Sequence, residues 1–166
     1  MTLSLHAVTV PVYARLLTAL RANLDKAQAY ADEKTFNSDV LVVSRLAPDM
    51  QPLSFQVQMA TDYVKGPLAR LAGREVPSWP DDEKTLAELK ARIDKALDYA
   101  ATFAPADIDG NEPRSITLKM RSGETTLDGQ TYLLTRALPN FYFHITTAYA
   151  ILRHNGVPIG KRDFIG

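Results

Sequence analysis

The sequence predicts a mainly α protein, a four-helix bundle with a small β-hairpin inserted between the third and last helices. Three observations carry this. Four segments repeat apolar residues at steps of three and four, the period of a helix. One segment, Ile116 to Leu127, alternates at period two, the period of a strand. The length of 166 residues fits a single domain over 1–166, since a domain usually takes about 100 to 200 residues.

In chain order, Leu5, Val8, Val12, Leu16, Leu20, Leu24 and Ala27 mark a first helix from Ser4 to about Ala31, with Ser4 as its N-cap. Pro11 removes a backbone donor in its second turn, so the helix either kinks there or starts later. Asn37-Ser38-Asp39 caps a short helix through Val43. Pro52 suits the first turn of a second long helix, where its missing N–H costs nothing. Leu53, Val57, Ala60, Val64, Leu68 and Leu71 form its stripe, and Gly73 closes it in a left-handed conformation. Gly66-Pro67 bends this helix without ending it, because the stripe resumes in phase.

A turn-rich loop, GREVPSWPDD, holds the only tryptophan; its acids Asp81 and Asp82 read as helix-start charges. Thr85 and Glu88 make a capping box for the third helix, with Leu86, Leu89, Ile93, Leu97 and Ala100 on one face and a stop before Pro105. Asp107 to Pro113 reads as loop. Ile116, Leu118 and Met120 then alternate with Thr117, Lys119 and Arg121, and a Ser122-Gly123 turn leads into Thr125-Thr126-Leu127. The last helix covers Asn140 to Arg153, with Tyr132 to Ala137 as either a preceding turn or a kinked extension. Its stripe is Phe141, Ile145, Ala148 and Leu152. The tail GVPIGKRDFIG shows no period and anchors through Pro158, Ile159 and Phe164, while Lys161-Arg162 reads as solvated.

Composition excludes several functions. Nineteen Lys plus Arg balance nineteen Asp plus Glu, so there is no basic track for nucleic acid. Zero cysteine removes disulfides, thiol nucleophiles and Cys-ligated metals. At 46% hydrophobic residues the chain can build a core from its four stripes, and no cofactor is expected for stability. No apolar run approaches the ~20 residues of a membrane span, and the N-terminus lacks the pattern of a signal peptide. A cytoplasmic protein with no membrane partner is the expectation.

Chemistry therefore falls first to three histidines. His144 and His154 lie ten residues apart, roughly 15 Å along a helix, too far to share one ion. His154 suits the helix C-terminus, where a cation is favoured. His6 reads as a boundary residue. His144 falls within the wide apolar arc of the last helix, four residues after Asn140, so both share one edge of that face. On the second long helix Gln56 lies among Phe55, Met59 and Tyr63 and also points inward, while Gln58 and Asp62 fall nearer the polar side. Gln56, Asn140 and His144 are the candidate ligand-binding residues, either as a buried network that fixes helix register or as the lining of a pocket. No phosphate loop, HExxH or GxSxG motif is present.

Two segments, RLAPDMQPLSFQVQMATDYVKGPLARLAG and LPNFYFHITTAYAILRHNGVPIGKRDFIG, carry a resemblance that runs along nearly the whole chain. It is to an uncharacterised bacterial branch of the DinB/YfiT-like four-helix bundles. The resemblance implies a DinB-like bundle and a homodimer. It also implies comparison with relatives that hold a divalent metal on one histidine of the second helix and an HxxxH pair of the last, some being thiol-dependent transferases or hydrolases. Here His144 matches the second histidine of the pair, Asn140 stands at the first, and Gln56 takes the facing position. Amide oxygens are weak partners for the ions that imidazole favours, so a degenerate metal site without a tightly held transition metal is expected. Three functions follow as alternatives: a small-molecule-binding or vestigial pocket, a divalent-metal-dependent thiol transferase or hydrolase completed by a group such as Asp62, and a structural or interaction homodimer.

Overall fold

Pro11 decides where the first long helix begins. In the computed structural model, which describes residues 4–120 and 123–166, residues 5–9 run as turns and α1 spans Val10–Lys34. A proline is tolerated in the first turn because no N–H is needed there, so the later of the two expected starts is the one adopted. Ser4 is not its N-cap. Its hydroxyl instead lies 2.9 Å from both carboxylate oxygens of Asp109, which also accepts the His6 N–H at 2.9 Å.

A short α2, Asp39–Val42, follows, with the Asn37 side chain accepting the Asp39 N–H at 3.0 Å. The second long helix, α3, spans Leu53–Leu71; Pro52 stands just before its first turn rather than in it. Gly66-Pro67 lies inside α3 without ending it, and Gly73 follows at φ 67°, a conformation glycine adopts without strain. The capping box opens α4, Leu86–Ala101: Thr85 Oγ1 accepts the Glu88 N–H at 3.2 Å, and Glu88 Oε2 accepts the Thr85 N–H at 2.9 Å. The expected loop after it contains one helical turn, α5 at Pro105–Ile108, closed by Asp107 Oδ2 accepting the Ala104 N–H at 2.8 Å.

Strands β1, Ser115–Met120, and β2, Gly123–Asp128, pair antiparallel with Ile116 opposite Leu127 and Leu118 opposite Thr125. The Met120 side chain, Arg121 and Ser122, on which the expected alternation and turn partly rest, lie outside the described residues. Two strands cannot hold together alone in water. Ile116 is buried, and Leu118 and Leu127 pack partly buried against the helical core.

β2 runs directly into α6, Gly129–Tyr132, then a π-helical turn at Leu133–Ala137, then α7, Leu138–His154. The stretch before Asn140 is therefore an extension of the last helix. Pro139 offers no N–H to the preceding turn, and the helix widens there, the Leu138 N–H bonding the Leu133 carbonyl five residues back.

The tail also holds structure that five residues were too few to betray by period. In α8, Lys161–Ile165, Phe164 meets Tyr149 edge to face at 5.5 Å. Val157 and Ile159 are buried behind it, whereas Pro158, expected as an anchor, is exposed. The long helices pack in the cyclic order α1, α4, α3, α7, each against two neighbours. Leu17, Leu24, Val57, Val64, Leu89, Ile93, Phe141 and Ile145 meet in the middle with almost no exposure. Among the described residues no helix is long and apolar enough to cross a membrane.

Candidate functional site

The apolar arcs of α3 and α7 face one another, and they bring Gln56 and His144 together as the spacing predicts. His144 Nδ1 lies 2.9 Å from Gln56 Oε1, and Gln56 Nε2 donates to the Gln51 carbonyl at 3.0 Å. That second bond fixes which end of the amide is which, because a carbonyl can only accept. Nδ1 must therefore carry the proton and donate, which leaves Nε2 as the unprotonated nitrogen. Three rings surround the imidazole: Tyr63 stacks on it at 5.7 Å and 17°, while Phe143 and Phe55 stand edge-on at 5.3 and 6.1 Å. Burial in this apolar setting pulls the His144 pKa down to about 4, so the ring is neutral at physiological pH.

Asn140 stands apart from the pair. Its Nδ2 donates to the Arg136 carbonyl at 2.7 Å, and it lines a cleft of about 420 Å³ that Tyr63, but not His144 or Gln56, also lines. Tyr63 and Tyr132 form the aromatic part of this cleft, Arg70 and Arg136 its charged part, and Leu118 and Lys119 of β1 its rim. The Arg70 guanidinium approaches the Tyr132 hydroxyl at 3.4 Å. Burial raises the pKa of both tyrosines, against the pull of Arg70 on each and of Arg136 on Tyr63. Both phenols are thus protonated at neutral pH and available as donors.

Residues 5–165 match the family described as "Domain of unknown function (DUF1993)". A crystal structure of a DinB family member protein from Shewanella denitrificans superposes with a TM-score of 0.90 at 44% identity, over 98% of this chain and 92% of that one. The chain belongs to this DUF1993, DinB-like family. No curated protein matches it.

The donor set of this DinB-like protein does not fit a divalent ion. His144 could offer an ion only Nε2, because its Nδ1 and the Oε1 of Gln56 are engaged with one another, and the Asn140 amide nitrogen is tied to its own helical rod. Among the described residues no three His, Asp or Glu side chains converge as ligands would. Asp62, the carboxylate considered as a further ligand, is held by two cations, Lys65 Nζ at 2.8 Å and Arg92 Nη2 at 2.9 Å. The other histidines lie away from this pair: His6 Nε2 is 3.2 Å from the Phe103 carbonyl, and His154 is exposed in the last turn of α7.

Sequence reasoning missed the charged cluster beside the cleft. Gln58 and Asp62 face neighbouring elements rather than open solvent, and Asp81 is not a helix-start charge. Arg92, on α4 with its side chain 2% exposed, reaches Asp81 at 2.8 Å and Glu83 at 2.9 Å besides Asp62. Its Nε donates to Thr61 Oγ1 at 2.8 Å and its Nη1 to the Pro80 carbonyl. Gln58 Nε2 completes the set by donating to Glu83 Oε2 at 2.9 Å. Burial pushes the Glu83 carboxyl up, but the bonds from Gln58 and Arg92 outweigh it and hold the group below its ordinary range. Trp79 lies across this cluster, with Lys65 and Lys95 at 4.6 and 4.7 Å from its ring centroid. A signal was present in the sequence: Arg92 lies three residues after Leu89 and next to Ile93, on the buried side of α4.

Proposed function

We propose that this single-domain protein is a small-molecule-binding member of the DinB-like family, and that its working site is the cleft between α3 and α7 rather than a metal centre. The observation that carries the reading is the composition of the cleft, an aromatic wall with a few polar groups converging on it, which is how ligand pockets are built. Gln56 and His144 support the wall from behind, fixing the Tyr63 ring, and Asn140 contributes a polar edge. The metal site of the wider superfamily is degenerate in this reading.

A thermal-shift screen of small molecules tests it. Compounds that raise the melting temperature should lose their effect in Tyr63→Ala, and His144→Ala should change the ligand-induced shift by more than it changes the free protein. Elemental analysis that found about one zinc or nickel per chain, after purification without added metal, would overturn the reading in favour of a metal enzyme.

A homodimer in the cytoplasm belongs to the same proposal. Leu134, Tyr142 and Phe143, all exposed along the last helical rod, support self-association. Light scattering that gives a monomer mass at working concentration removes that part.

A further inference from the structure

Among the described residues, five charged side chains line the cleft, and only one of them is acidic: Asp62, against Lys65, Arg70, Lys119 and Arg136. The chain as a whole is balanced, so this excess is local. Asp62 is already bound by Lys65 and Arg92. Lys119 faces Glu124 at 3.7 Å in an open, exposed pair. Arg70 and Arg136 thus remain over the concave surface without a carboxylate partner among the described residues.

Their placement is built into the backbone. Glycine inside a helix is unfavourable relative to alanine, so Gly66 in the middle of α3 calls for a reason. A Cβ at that position would come within 2.6 Å of Arg70 Nη1 and meet little else. The missing side chain is the space in which the guanidinium lies. Arg136 is carried by the π-helical turn, a distortion often found where a side chain must be aimed at a site.

We propose that the cleft selects a small organic anion, a carboxylate or phosphate monoester with a ring-sized apolar body. Arg70 and Arg136 hold the charged end, and Tyr63 and Tyr132 hold the body. A guanidinium fork matches the geometry of both anions, and charges of one sign around a cleft concentrate the field inside it. The inference rests on the cleft being the working site and adds the class of ligand.

Isothermal titration of the full chain at low ionic strength with benzoate, phenyl phosphate and neutral benzamide tests it. One of the anions should bind about tenfold or more tighter than benzamide. Arg136→Gln, at an exposed position, should weaken that binding several-fold while the circular dichroism spectrum stays unchanged. Gly66→Ala should also weaken it, because the methyl group displaces the Arg70 head. Benzamide binding as tightly as the anions, with loss in Tyr63→Ala, would overturn the ligand class and leave the cleft as a small-molecule site. Anion affinity unchanged in Arg136→Gln and Gly66→Ala, or no binding of any probe at millimolar concentration, would also overturn the inference.

Discussion

His144 has one polar partner and three aromatic neighbours, and this makes its protonation a stability term. In the folded protein its pKa is about 4, against the ordinary value near 6.5. As pH falls the unfolded chain takes up the proton first, so stability is complete above about pH 6.5 and declines toward pH 4. The loss should be on the order of 3 kcal/mol. His144→Gln keeps an amide donor for Gln56 but does not titrate, so urea melts of the two proteins at pH 7 and pH 4.5 should differ in slope against pH. Equal slopes would show that the ring is not desolvated.

Tyr13 offers a test of the opposite sign. Its hydroxyl is fully buried with no hydrogen-bond partner among the described residues, and its ring meets Phe141 edge to face at 4.6 Å. Burial, reinforced by Tyr132 and Tyr142, raises its pKa strongly. Tyr13→Phe keeps the ring contact and removes an unpaired polar atom, which should stabilise the protein by about 1 kcal/mol and raise the melting temperature by a few degrees.

At the scale of elements, the loop between α3 and α4 owes its position to Arg92. One buried guanidinium joins α4 to Thr61 and Asp62 of α3 and to Pro80, Asp81 and Glu83 of the loop. Breaking a buried ion pair by removing one partner is costly because the other charges stay behind. Arg92→Met should therefore cost about 3 kcal/mol or more, and limited proteolysis should then cut first between residues 74 and 84. The opposite expectation holds for Gly66→Ala, where gained helix propensity should add up to about 1 kcal/mol of stability even as Arg70 is displaced.

Across the whole molecule, periodicity made the four long helices and the hairpin legible, because each stripe at step three or four does face the core. What stayed hidden was long-range or short. The Arg92 cluster depends on a loop folding back over α3 and α4, which no local period records. α8 is five residues long, and its position is set by partners on α1: Arg15 donates to the Ile165 and Gly166 carbonyls at 2.8 Å, and Lys26 pairs with Asp163. Gln56 and His144 could be paired from their helix faces alone. The separation of Asn140 from them could not, since its side chain turns back to the Arg136 carbonyl of its own helical rod. Removing residues 161–166 should cost about 1 to 2 kcal/mol, mainly through the Phe164 contact, without abolishing the bundle; calorimetry of the shortened chain would measure it.

The two strands pair only with one another and give little more than Ile116 to the interior, yet β1 supplies Leu118 and Lys119 to the mouth of the cleft. The hairpin is in that sense an interchangeable visor. Grafting a different pair of strands between Arg114 and Gly129 would alter which molecules gain entry while the four rods beneath keep their own packing.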